Sequence, residues 1–325
     1  MTPAQFEKEN EGRWERLQTL LEGVEAGNSK TMPDAAELPQ LFRQTCHDLS
    51  VAQHRMYGPR LVGRLNALAI HGYRVLERRI SGGWERLAML VFMEFPRSFR
   101  RERGLFLFCM SLFWLPFLFL AIWTPFDPEW AMSILGPDGM IQLEQMYGSG
   151  TSPYDYMREE FGSNFGMFAF YIWNNVGIGL RTFAGGLLGG VGSIFFLVFN
   201  GASIGAATGY VHHACNPETF YSFVAGHSAP ELLGIVISGM AGMRLGLSLV
   251  KPGQYDRKTS LVLGGRSALV LIAGASVMIA CAAVIEGFWS ANPFPPLVRY
   301  SVGGVVWLLT LGYLFFSGKE RVHAA

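Results

Sequence analysis

The sequence predicts an all-α membrane protein: a polytopic helix bundle of about six spans, preceded by an N-terminal cytoplasmic helical domain. Three observations lead there. Half of the 325 residues are hydrophobic and only 16% are charged, a balance that belongs to membrane chains. Several apolar stretches are close to the length of about 20 residues that crosses a hydrocarbon core about 30 Å thick. The first hundred residues instead repeat their apolar positions every three to four residues, the period of an amphipathic helix.

The domain boundary is placed at 96/97, giving a helical domain over 1–96 and a membrane domain over 97–325. Thr2-Pro3-Ala4-Gln5 has the form of a capping box with proline at the first helical position. Phe6, Trp14, Leu17, Leu20, Leu21 and Val24 continue it as one stripe, and Gly27-Asn28 closes it. A second helix starts at Pro39, with Leu41, Phe42, Thr45, Leu49 and Ala52 inward, and breaks at Gly58-Pro59. A third runs from about Arg60 to Arg79, with Leu61, Leu65, Leu68, Val75 and Leu76 inward, and breaks at Ser81-Gly82-Gly83. Three helices with short connections make a small antiparallel bundle. His47, His54 and His71 lie within it and are read as surface or core histidines.

Trp84 to Arg103 reads as an interfacial helix whose Arg97, Arg100, Arg101 and Arg103 lie near lipid phosphates, or as a positive flank that sets orientation. The spans follow at about 105–123, 165–180, 187–211, 230–250, 267–288 and 297–316. The segment 124–162 is acidic and Ser152-Pro153-Tyr154-Asp155 starts a helix within it. Basic residues gather at 97–103, Arg181, Lys251, Arg257, Lys258, Arg266, Lys319 and Arg321. Six spans put all of these on one side, which the positive-inside rule makes cytoplasmic, together with both termini. Arg299 falls on the opposite side, with Glu286 as its expected partner. The first insertable run begins only at Leu105, so no signal peptide is expected.

Gly201, Gly205 and Gly209 recur at every fourth residue, as do Ser238, Gly242 and Gly246. Small residues at this spacing let helices touch backbone to backbone, either within one chain or across a homodimer. Four scattered cysteines without a CxxC pair predict neither a disulfide framework nor a zinc ribbon. A net charge of +1 argues against nucleic acid as a partner.

Ionisable and amide side chains are expensive in hydrocarbon and mark functional or structural centres. Asn174, Asn175, Arg181, Asn200, His227, Glu231 and Arg244 form the candidate polar cluster. Counted from Arg181 at about 1.5 Å per residue, Asn174, Asn175, Arg181 and Arg244 make an inner layer. Asn200, His227 and Glu231 make an outer layer near Glu286 and Arg299. Zinc-type ligands occur at His212, His213, Cys215, His227 and Glu231. HHxC and HxxxE are not a standard ligand set, however, and Ser228-Ala229-Pro230 marks a helix start. No HExxH, nucleophile elbow or P-loop occurs, so no catalytic residue, metal site or cofactor is assigned.

FRQTCHDLSVAQHR, LNALAIHGYRVLERR and FMEFPRSFRRER resemble the cytoplasmic half of the stage II sporulation protein M family. Asn174-Asn175, Asn200-Gly201, GHSAPEL and AGMRLGLSLVKPGQYDR resemble its membrane half, in the same order. Gly226-His227-Ser228 stands where the family pattern has a Pro-His-Gly-like turn. The resemblance implies a multi-span membrane protein without an established activity of its own, associated in spore formers with peptidoglycan-remodelling partners. A non-enzymatic protein of a bacterial inner membrane is expected. The expected role is therefore a scaffold or assembly partner of a cell-envelope complex, in contact with membrane lipid and envelope proteins. A transporter or channel using the polar cluster, and an intramembrane metal-dependent hydrolase using His227 and Glu231, are the alternatives.

Overall fold

The computed structural model describes residues 2–25, 37–80 and 83–318. They are helical throughout, with turns and no strand. The chain divides into two units, Met1–Leu87 and Ala88–Ala325; the boundary drawn from sequence falls inside the helix Phe95–Arg101.

The first unit contains α1 (Pro3–Glu25), α2 (Leu38–His54) and α3 (Pro59–Ile80). The capping box forms in both directions: the Thr2 amide donates to Gln5 Oε1 at 3.1 Å and the Gln5 amide to Thr2 Oγ1 at 3.3 Å. Phe6, Trp14, Leu17, Leu20 and Leu21 of α1 pack with Leu38, Ala52, Leu61, Leu65, Leu68 and Val75 in one core. Within it, buried Trp14 donates from Nε1 to Asp48 Oδ2 at 2.9 Å, and Arg13 pairs with the same carboxylate at 3.2 Å. His71 contacts Glu25 at 3.2 Å, while His47 and His54 are exposed. The expected breaks at Gly27-Asn28 and Ser81-Gly82, and the basic Lys319 and Arg321, lie outside the described residues.

The helix α4 (Gly83–Met89) contains the boundary, and in the second unit it leads through a π-helical turn, Leu90–Glu94, into α5 (Phe95–Arg101). Of the four arginines expected near lipid phosphates, two are engaged within the protein, while Arg101 and Arg103 are exposed. Phe95 and Phe99 are fully buried, and Phe95 lies against Gly274. Arg97 donates to the Gly318 carbonyl at 2.6 Å and Arg100 to the Leu314 carbonyl at 3.0 Å. These two cations satisfy carbonyls left open at a helix C-terminus.

Then come α6 (Arg103–Trp123), α7 (Glu129–Tyr147), α8 (Pro153–Phe161), α9 (Asn164–Tyr171), α10 (Gly177–Ala184), α11 (Val191–Ala214), α12 (Pro217–Val224), α13 (Ser228–Val250), α14 (Arg257–Val284) and α15 (Pro296–Phe316). Ser152 caps α8, as its sequence predicts, by accepting from the Asp155 amide. Among the described residues five helices are long and apolar enough to cross a membrane: α6, α11, α13, α14 with its π-helical extension to Ser290, and α15. The segment expected as a second span is helical from Asn164 to Leu188, but in pieces: α9, a π-helical turn Ile172–Val176, α10, and a 3₁₀ turn Gly185–Leu188. Asn174, Asn175 and Arg181 make this run less apolar than the other five.

α14 begins ten residues before the expected span, because Asp256 caps it, accepting from the Lys258 and Thr259 amides at 3.1 Å each. Hydrogen bonds from Thr259 and Lys258 hold the Asp256 carboxyl below its usual range. α13 is the central helix: 78% of its apolar window is buried, against 22% for α6 and 17% for α15. It packs along α14, and α11 packs along α6. The glycine ladder explains the second pairing. A Cβ on Gly201 or Gly205 would strike the backbone of Phe113 or Phe117 in α6, so the ladder is spent on an internal contact of this chain.

Candidate functional site

Two π-helical turns face each other beside the start of α13. A π turn inserts one residue into a helix and re-aims the side chains around it, a feature often found at functional sites. Ile172–Val176 carries Asn174 and Asn175; Ile285–Ser290 carries Glu286 and Ser290. His227 lies at the N-cap of α13, and Glu231 in its first turn, where the helix dipole favours a carboxylate.

These residues form one connected group. Asn174 Nδ2 donates to Asn175 Oδ1 at 2.8 Å, and Asn175 Nδ2 donates to Glu286 Oε2 at 3.3 Å. The other Glu286 oxygen lies 3.7 Å from His227 Nε2. Glu231 Oε2 lies 4.0 Å from the same nitrogen. On the far side of the imidazole, Nδ1 meets Ser290 Oγ at 3.2 Å. Asn175, His227, Glu286 and Ser290 are buried. The ring of Phe223 stands edge-on to His227 at 5.6 Å.

Arg299 braces the group from behind and is fully buried. It is not paired with Glu286, the partner expected from sequence. Its guanidinium donates to the carbonyls of Ser222 at 3.4 Å, Ser290 at 3.2 Å, Phe294 at 3.0 Å and to that of Asn292. It also lies over the Tyr154 ring at 4.7 Å. Those carbonyls sit where α12, the π turn and the loop before α15 end, places where the helical ladder leaves acceptors open; the Asn292 carbonyl also accepts from the Phe294 amide at 2.9 Å.

The two-layer grouping expected from sequence is not what forms. Asn175 joins His227, Glu231 and Glu286 rather than Arg244. Arg244 contacts Glu102 at 2.9 Å, an ion pair in which the Nε–H is not aligned for a hydrogen bond. Asn200 turns back on its own helix and donates to the Phe196 carbonyl at 2.7 Å. Arg181 is exposed, with its guanidinium over Gly177. The physical reason is that depth counted from Arg181 assumes a helix ending there, whereas the helical run continues to Leu188.

The other zinc-type residues are separate from this group. His212 meets the Tyr221 hydroxyl at 2.8 Å, His213 meets the Pro125 carbonyl at 3.2 Å, and the Cys215 thiol points to the Leu143 carbonyl. Glu286 and Ser290 are the members that the sequence did not assign to the cluster. Glu286 carried a signal, an ionisable residue inside an apolar run; Ser290 carried none.

Among the described residues, an all-helical bundle with five helices long and apolar enough to cross a membrane, holding a buried amide–carboxylate–imidazole group, fits the class of membrane proteins. Residues 105–291 match the family model of Stage II sporulation protein M, and the chain belongs to that family. Residues 4–78 match a second model, Domain of unknown function (DUF8413). No curated protein and no solved structure matches the chain.

Proposed function

We propose that this chain is a multi-pass protein of a bacterial inner membrane, with both termini cytoplasmic, that serves without catalysis as an assembly partner of a cell-envelope complex. The observation that carries the reading is the family match over residues 105–291. The orientation is supported by basic residues at Arg97, Arg100, Arg101, Arg103, Lys251, Arg257, Lys258 and Arg266, which cluster at ends that six crossings, the five membrane-length helices and the broken run Asn164–Leu188, would bring to one side. Envelope proteins and lipid are the partners of this reading.

A second reading, a cation-coupled transporter, is favoured by the buried group around Glu286 next to two π turns and a helix start. Such irregular helices at depth often hold ions. Purification from native membranes in mild detergent separates the two. Assembly predicts a fixed set of envelope proteins that co-purify in constant ratio and are lost on deletion of a membrane helix. Concentrative ion or solute flux in proteoliposomes of the isolated chain would replace the assembly reading with transport.

A further inference from the structure

The ligand-type atoms of His227, Glu231 and Glu286 all lie within 4.8 Å of one another. His227 Nε2 is 3.7 Å from one carboxylate and 4.0 Å from the other. These separations are too long for hydrogen bonds. They are close to the spacing of about 3–4 Å between atoms that share one metal ion at bond lengths near 2.0–2.2 Å.

Two further observations point to a ligand. His227 is 4% exposed, its Nδ1 is engaged by Ser290, and its Nε2 has no hydrogen-bond partner among the described residues. An imidazole fixed through one nitrogen by a hydrogen bond, with the other aimed at carboxylates, is the usual dress of a metal-binding histidine. Secondly, the two carboxylates have no Lys or Arg partner among the described residues, because Arg299 is committed to backbone carbonyls. Two acids held this close in a buried place need a cation or a proton between them.

We propose that His227 Nε2, Glu231 and Glu286 bind one divalent first-row transition cation of the zinc or manganese class. Imidazole selects such ions over calcium and magnesium. Asn175 orients Glu286 and Ser290 orients His227, so both are positioning residues. Glu231 is the least buried of the three, 18% exposed at its side chain against 5% and 8% for His227 and Glu286, and forms the entry side. A bound ion would tie α13 to the end of α14, and through Asn175 to the Ile172–Val176 turn. This site stands independently of the assembly role.

The test uses the full chain in detergent, with His212→Ala, His213→Ala and Cys215→Ser to remove the nearby ligand-type residues outside the site. The protein is stripped with chelator, then titrated with ZnCl₂, MnCl₂ or MgCl₂, and metal per chain is measured after desalting. The expected result is one zinc or manganese per chain, a melting temperature raised by several degrees, and no response to magnesium. Glu286→Gln and His227→Gln should each lose at least tenfold in affinity. If these do not fold, Glu231→Gln, at the more open edge, gives the same reading. Failure of the parent to retain zinc or manganese would overturn the site, as would retention unchanged by Glu231→Gln. A melting temperature that follows pH but ignores metal would assign the gap to a proton shared by the two carboxylates and overturn the proposal as well.

Discussion

Asn175 Nδ2 donates to Glu286 Oε2 at 3.3 Å, joining the π turn after α9 to the π turn that ends α14. Both side chains are buried, so neither can turn to water if the other is removed. Asn175→Ala leaves the Glu286 oxygen without its donor, at a cost of about 1–3 kcal/mol. Asn175→Asp places a carboxylate against it and costs more. Melting temperatures in detergent should fall in the order parent, Ala, Asp. An aspartate variant as stable as the parent would show that the bond does not form.

Asp48 plays a comparable part in the N-terminal unit. Its carboxylate accepts from buried Trp14 Nε1 at 2.9 Å and pairs with Arg13 at 3.2 Å. The Arg13 side chain is 41% exposed, so solvent screens that pair and it contributes little. The Trp14 bond is the part that matters. Asp48→Ala strands a buried N–H and should destabilise by about 1–3 kcal/mol, whereas Asp48→Asn keeps an acceptor and should cost less than half as much. Hydrogen exchange in the full chain checks this: protection over 3–25 should drop for the alanine variant and hold for the asparagine variant.

Orientation is tested by thiol labelling. Native Cys215 is a poor probe, since it is half-buried with its thiol at the Leu143 carbonyl. Ser133 in α7 and Arg257 at the start of α14 are exposed. In a cysteine-free background and with the outer barrier permeabilised, Ser133→Cys should react with an impermeant reagent and Arg257→Cys should not. The reverse pattern inverts the topology.

Local chemistry was the most legible part of the sequence. Thr2 and Gln5 form the capping box, Ser152 caps α8, and the stripe from Phe6 to Leu21 is the face that is buried. Each rests on residues within a turn or two of one another. The helix limits of α6, α13 and α15 were similarly legible, because they coincide with the apolar runs. The site was legible in composition but not in grouping. His227 and Glu231 are four apart, and their helix start was marked by Ser228-Ala229-Pro230. Glu286 and Asn175 reach them only because each sits on a π turn, and no residue pattern announces a π turn. Arg299 went to carbonyls rather than to Glu286 for a related reason: open backbone acceptors at helix ends exist only once the chain has folded.

The contact between α6 and α11 gives the sharpest packing prediction. Gly205 sits mid-ladder, and a Cβ there would lie 2.4 Å from the Phe117 carbonyl oxygen and 2.8 Å from its Cα. Both neighbours are backbone, so relief requires moving a helix rather than a rotamer. Overpacking of this kind costs about 1–3 kcal/mol even where some relaxation is possible. Gly205→Ala should therefore destabilise measurably, and Gly205→Leu should push α6 off α11 and lower the melting temperature further or abolish folding. Leu107, also on α6, is 66% exposed. Leu107→Val changes an outward face and should stay within about 0.5 kcal/mol of the parent. Size-exclusion profiles separate this from an oligomer effect. If the ladder served a homodimer, Gly205→Ala would change the particle size before it changed the melting temperature; internal packing predicts an unchanged particle that melts earlier. Equal melting temperatures for parent and Gly205→Leu would mean that α6 and α11 do not touch along this face.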